Sequence, residues 1–357
     1  MLDKVNLLTT GIGSLPDIGE KEALQLIENT FPICPHWPQF PTRREEYFSS
    51  QFLQPLAELG MLKREKGNNP RILNHAEDFM DRAAEFYNLY LEYVEGNSLG
   101  SRFSVPEESA RGFYAFLHHL EERGTGDALF VKGQLVGPLT AGIQVYDEEG
   151  NSAFFDSQLR DLIVKTLEMD VAWQIRELKN LGLPAIIFLD EGLMHAYGHK
   201  EFLSLKAEWI VDSFTSLIDT IKREGAIPGI HACSMADWSI LLKSGPEIIN
   251  LDVYNYFTSL LSVSDELNTF MEKGGHIAWG ITPVFDACYE ETPESLKEKL
   301  FKYMERLCSN GVEEKLLFQQ MIITPSCGTG LYPPELARRV YQLTAELRET
   351  VLQQKDK

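Results

Sequence analysis

A chain of 357 residues, 44% hydrophobic and 24% charged, has the composition of a folded globular protein with room for a large core. Its 33 basic and 53 acidic residues leave a net charge of −20; such a surface repels phosphate backbones and argues against a nucleic-acid partner. Residues 1–5 show no basic segment leading into an apolar core, and apolar runs such as 183–189 fall far short of the ~18 residues of a spanning helix, so a cytoplasmic protein with no membrane role is expected.

In chain order, short β-rich runs alternate with helical patterns. Strands are expected at 5–10, at the proline-rich stretch 32–37, and at 128–135, 185–189, 227–231, 248–253, 276–281 and 321–324. Amphipathic stretches at 159–180, 201–223 and 293–310 separate several of them. Parallel neighbours need crossover helices, so this alternation predicts an α/β protein with a parallel sheet. Eight units over this length predict a single TIM (β/α)8 barrel spanning residues 1–357. Residues 41–126 are read as a helical insertion after the second strand, with helices at 42–63, 75–95 and 106–123. The turn Gly11-Ile12-Gly13-Ser14-Leu15-Pro16 puts a proline where a dinucleotide fingerprint needs its third glycine, which weighs against a Rossmann domain.

The five cysteines, Cys34, Cys233, Cys288, Cys308 and Cys327, are odd in number and scattered, a poor disulfide framework. His231-Ala232-Cys233 follows a β-run, and alternation puts His231 and Cys233 on one side of an extended segment. Such a pair could hold zinc, or Cys233 could pack beside a solvated histidine. Cys327 sits among small, turn-forming residues after another strand and could supply a third soft ligand. Asp252, ending the intervening strand, could complete a tetrahedron or cap the next helix. Asp190 and Glu191 close a further strand; they could receive a substrate ammonium, act as acid and base, or cap a helix. The turn Ile12-Gly13-Ser14 offers backbone N–H groups and a hydroxyl to a carboxylate.

With Ile12-Gly13-Ser14, Lys132-Gly133-Gln134-Leu135-Val136-Gly137-Pro138, Leu189-Asp190-Glu191, His231-Ala232-Cys233 and Pro325-Ser326-Cys327-Gly328, the chain resembles the cobalamin-independent methionine synthase superfamily. The likeness is to its catalytic C-terminal barrel, related in fold to uroporphyrinogen decarboxylase, and spans residues 9–327. It implies a zinc-dependent methyltransferase that converts homocysteine to methionine. It also implies Zn2+ held by His231, Cys233, Asp252 and Cys327, where the family carboxylate is normally glutamate. Ile12, Gly13, Ser14 and Asp190 would then hold the amino-acid end of the substrate, with Asp190 and Glu191 as the catalytic carboxylates.

Departures from the family redirect the donor. The family's second, N-terminal barrel is not matched here. Where the family usually carries a proton-donating histidine, this chain reads Phe285-Asp286-Ala287-Cys288-Tyr289-Glu290. Methylcobalamin or a corrinoid protein is therefore expected as methyl donor in preference to a methylated folate. The rival readings are a lyase of the uroporphyrinogen decarboxylase type and a non-catalytic binding or methyl-carrier accessory protein. The first would expect arginines near the first strand, and residues 9–17 contain none.

Overall fold

The computed structural model describes residue 2 and residues 7–47, 51–64, 69–96 and 104–355. Its strands are β1 (Leu8–Thr9), β2 (Leu62–Lys63), β3 (Arg71–Ile72), β4 (Val131–Val136), β5 (Ala185–Asp190), β6 (Ile227–Ala232), β7 (Ile248–Leu251), β8 (His276–Thr282) and β9 (Met321–Pro325). The helices α1 (Glu20–Thr30), α2 (Gln54–Glu58), α3 (Phe79–Val94) and α4 (Arg111–Arg123) precede β4. After it come α5 (Pro138–Gln144), α6 (Ser157–Lys179), α7 (Ala207–Arg223), α8 (Trp238–Lys243), α9 (Val253–Tyr256), α10 (Thr258–Leu261) and α11 (Ser264–Glu272). The last three are α12 (Pro293–Cys308), α13 (Glu314–Gln319) and α14 (Pro334–Lys355).

Seven strands form one parallel sheet in the order β1-β9-β8-β7-β6-β5-β4. The first strand lies against the last, so the order is cyclic apart from a seam between β1 and β4. Every residue of β4, β7, β8 and β9 is buried, as expected where both faces of a parallel sheet are covered. Alternation then sorts side chains between two cores. Leu8, Ile186, Phe188, Ile248, Ala278 and Ile322 share an inner cluster, and their alternates pack outward against the helices. Along the same inward rows the chemistry changes towards the C-terminal ends. Ile186 and Phe188 give way to Asp190, and Ile248 gives way to Asn250.

The eighth strand is not formed among the described residues. Instead of the expected strand at 32–37, an irregular extended segment makes isolated parallel bridges, Ser14 to Gln39 on one side and His36 to Lys132 on the other. Pro32, Pro35 and Pro38 lack the N–H groups a ladder requires, which explains why only scattered bonds survive. Those bonds still reach both sheet edges: Gln39 N–H donates to the Gly13 carbonyl at 3.1 Å, and Lys132 N–H donates to the Pro35 carbonyl at 2.9 Å. Within 41–126, helices α3 and α4 match the expected 75–95 and 106–123. The expected helix at 42–63 is broken into 3-10 turns and the short α2, and it runs into an antiparallel pair, Leu62 opposite Ile72. Residues 5, 6 and 48–50 of the predicted elements lie outside the described residues.

Helix α7 illustrates the packing. Ile210, Phe214, Leu217, Ile218 and Ile221 recur at helical spacing and are all buried, each contributing roughly 1.5–3 kcal/mol on burial. Helix α6 starts where the Asp156 carboxylate accepts the N–H groups of Gln158 and Leu159 at 2.8 and 2.9 Å.

His36 holds the seam from inside. It is fully buried; its Nδ1–H donates to the Trp37 carbonyl at 2.9 Å, and Nε2 accepts from the Tyr341 hydroxyl at 3.0 Å. Burial, reinforced by the Lys132 charge, lowers its pKa from 6.5 to about 3. Because the folded value is depressed, this histidine's contribution is complete above pH 6.5 and is lost as pH falls towards 3. Between pH 7 and pH 5 the loss should be about 2 kcal/mol, at ~1.4 kcal/mol per pH unit below 6.5. Urea denaturation at the two pH values should show this loss in the native protein and a smaller one in His36→Gln. An unchanged pH slope in the variant would contradict the assignment.

Candidate functional site

A cavity of ≈390 Å³ opens at the C-terminal ends of the strands, with walls drawn from the turn after β1, from β4, β5 and β6, and from the loop after β9. That is the end of a parallel α/β sheet where loops collect and ligands bind. Ile12, Ser14, Asp190, His231, Cys233 and Cys327 all line it.

His231, Cys233 and Cys327 each offer one donor atom, and these atoms lie within 4.8 Å of one another. Strand β6 delivers His231 from its last inward position, and Cys233 follows directly after the strand. Asn250 orients the imidazole. It sits opposite His231 in the β6–β7 register, and its amide oxygen contacts His231 Nδ1. Its amide nitrogen donates to the Ala278 carbonyl at 2.8 Å and to Thr324 Oγ1 at 2.7 Å. With Asn250 fixed this way, Nδ1 carries the proton. Nε2 is left as the ring atom available to the sulfurs, where Cys233 meets it. The Cys327 thiol donates to the Cys233 sulfur, which with His231 lowers the Cys233 pKa to about 4 and raises that of Cys327 well above its ordinary value. Burial alone would lower His231; Cys233 and Asp190 outweigh it and raise the pKa. Two sulfurs and one imidazole nitrogen form a donor set that suits zinc.

The carboxylates separate by role. Asp190 pairs with His231 in the β5–β6 register, is pushed up to about 6 by burial, and keeps Oδ1 without a hydrogen-bond partner. Glu191 is also buried, and burial raises it to about 7. Its oxygens are taken by the Thr140 hydroxyl, by Thr140 N–H at 3.1 Å and by Leu193 N–H at 3.0 Å. Glu191 thus ties α5 to the loop after β5 and is not among the residues lining the cavity. Asp252 is the N-cap of α9, accepting Asn255 N–H at 3.0 Å and Asn255 Nδ2 at 2.7 Å. It lies outside the group of three donor atoms.

The turn after β1 locks onto the loop after β9. Thr329 N–H donates to the Ser14 carbonyl at 3.0 Å, and a Cβ at Gly328 would come within 2.0 Å of Ser14 Oγ. Gly13 takes φ 140°, where a Cβ would meet the Gln134 side chain at 2.4 Å. Below the turn, the buried Lys132 donates to the Ile12 carbonyl at 2.5 Å, and burial lowers it to about 8. Cys34 is buried in the inner core, where desolvation pushes its thiol up to about 12. Sequence reasoning missed Asn250, Gln39, Phe52 and Tyr332. Asn250 alone carried a signal, as a polar residue inside the apolar run Ile248–Leu251. The others reach the cavity from segments whose course the sequence pattern does not give.

No family model matches the chain, and no curated protein matches it. Among solved structures, a GH26-CBM35 β-(1,4)-mannanase from Podospora anserina aligns at 10% identity and TM-score 0.38, covering 97% of this chain and 64% of the mannanase. An amidohydrolase aligns at 14% identity and TM-score 0.26, covering 54% of this chain and 49% of that one. A structure assigned as fructose-1,6-biphosphate aldolase from Coccidioides immitis aligns at 10% identity and TM-score 0.29, covering 68% and 85%. The chain therefore spans just under two thirds of the mannanase and about half of the amidohydrolase.

The role given to Asn250 has a direct test. Asn250→Ala frees His231 to rotate or change tautomer, and should weaken cobalt(II) or zinc binding about 10–100-fold, as loss of such outer partners typically does. Cobalt(II) titration followed by its thiolate absorption bands measures this. Unaltered affinity would remove Asn250 from the site.

Proposed function

We propose that this protein is a zinc-dependent methyltransferase that moves a methyl group to a thiol, with homocysteine as acceptor and a methylcorrinoid as donor. On this reading the fold is a (β/α)8 barrel in which the extended segment 35–39 stands for the second strand. The observation that carries the proposal is the convergence of His231, Cys233 and Cys327 donor atoms within 4.8 Å of one another at the wall of a cavity. The His231 imidazole supports it: Asn250 holds Nδ1, which leaves Nε2 as the ring atom that meets the Cys233 sulfur.

Zinc bound by these three residues would supply the Lewis acidity that keeps a substrate thiol as thiolate at neutral pH. The protein's own groups do the rest. Cys233 and Cys327 provide two anionic donors that leave electron density on the acceptor sulfur, and Asn250 holds His231 in its ligating tautomer. Asp190, with Oδ1 unpaired, accepts the substrate ammonium, and Ser14 with its turn receives the carboxylate. Phe52, Leu135 and Val136 keep the cavity wall apolar and reduce solvation of the nucleophile. The thiol proton leaves to solvent. The sulfur lone pair then forms the S–CH3 bond while the cobalt–carbon bond breaks, its electron pair staying on cobalt. That leaving group needs no proton, which accords with the absence of a histidine from residues 285–290. A decarboxylase of polycarboxylate substrates would need cations in the cavity, and among the described residues lining it there is no arginine or lysine.

Zinc-loaded protein supplied with homocysteine should form methionine from methylcobalamin and little from methyltetrahydrofolate. In Asp190→Asn the KM for homocysteine should rise about 10–100-fold, the weight of a charged hydrogen bond of roughly 1.5–3 kcal/mol, with zinc content unchanged. Turnover with the folate alone would overturn the donor. No methionine from either donor would leave the accessory-protein reading.

A further inference from the structure

Among the described residues, several large apolar side chains are left in water on loops after the parallel strands, with Leu331 and Tyr332 in the cavity wall itself. Met235 follows β6 and is 65% exposed; Leu331, following β9, is 71% exposed. Phe285 and Tyr289, after β8, and Tyr332, after β9, are also exposed. On α9, after β7, the half-buried Tyr254 meets Phe285 edge-on, with ring centroids 5.7 Å apart. Because the strands are parallel, all these loops share one end of the sheet. Because β6, β7, β8 and β9 are consecutive neighbours, they form one arc. Cys233 and Cys327, on the first and last loops of that arc, meet in the cavity wall with donor atoms within 4.8 Å of one another.

From this arc we infer a docking platform for the flat face of a corrin macrocycle, outside the cavity and above the acceptor thiol. The inference rests on the methyl-transfer reading and adds the donor's binding site to it. Three features select this occupant. The cavity's ≈390 Å³ lies near the lower end of the roughly 300–1,000 Å³ of small-molecule pockets. It admits a small thiol but not a corrin ring with its amide arms, so the methyl group must be presented from the mouth. An exposed apolar arc rimmed by polar residues is what a broad, mainly apolar ring face requires. Finally, the exposed acids Asp237, Asp286 and Glu290 lie on the same loops, and the methylcobalt(III)–corrin core is positive, its charge balanced in methylcobalamin by the distant nucleotide phosphate, so the field over the arc orients the corrin face towards it. Tyr254 stiffens the platform: its hydroxyl donates to Glu291 at 2.8 Å while Lys299 lies 3.8 Å from its ring centroid.

Equilibrium dialysis of zinc-loaded protein against methylcobalamin tests this without turnover. Met235→Ser and Phe285→Ser should each weaken binding about tenfold, as loss of one buried apolar side chain implies. Phe285→Leu should bind as the native protein does, and Met80→Ser, an exposed methionine on α3, should have no effect. The KM for homocysteine should not change in any of the four. Native protein that fails to bind methylcobalamin, or serine variants that bind it unaltered, would overturn the platform. Methionine formation with unaltered methylcobalamin KM in both serine variants would sink the platform alone and leave the methyl-transfer reading standing. Weakened binding in those variants, without methionine formation by the native protein, would support the platform and refute methyl transfer.

Discussion

Parallel register across five strands governs the site. Val136, Asp190, His231, Asn250 and Ala278 stand in one row across β4 to β8, each the register partner of the next. A slip of one residue in β6 would turn His231 outward towards the helices and bring Ala232 inward, because side chains alternate with period two. The apolar layer beneath the row, Ile186, Phe188 and Ile248 among others, fixes that register through burial. The geometry of the donor atoms is therefore set by the hydrophobic core.

The same layer explains the electrostatics. Lys132 is walled off from water and Asp190 is half-buried in the cavity wall, so desolvation moves both towards neutrality from opposite sides. His231 and Cys233 escape that trend because each stabilises the charged form of the other. A pair held in this way needs no ion to be organised, and preorganisation of the first ligands is what a soft-metal site requires. The locked loops after β1 and β9 extend the order to Cys327, whose neighbour Gly328 leaves room for Ser14.

Much of this was readable from the amino-acid order. Continuous apolar runs ending in His231, Asp190 and Cys327 gave strand ends, and parallel connectivity brought those ends together. The proline-rich stretch at 32–37 misled, because its apolar content reads as a strand while its missing N–H groups prevent one. Asp252 shows the limit of spacing arguments. A carboxylate at a strand end is equally suited to a ligand or a helix cap, and only the position of Asn255 shows both oxygens engaged. Glu191 read as a second catalytic carboxylate or a helix cap, and its bonds to Thr140 and Leu193 make it a brace between α5 and the loop after β5. Gln39 and Phe52 come from irregular segments with no period to read.

The central claim is that His231, Cys233 and Cys327 hold zinc and offer it to a thiol. X-ray absorption at the zinc edge addresses it directly. The zinc-loaded protein should show two sulfur neighbours at about 2.3 Å with nitrogen or oxygen at about 2.0–2.2 Å, and added homocysteine should raise the sulfur count to three. A zinc shell of nitrogen and oxygen only, or a sulfur count that homocysteine leaves at two, would contradict it.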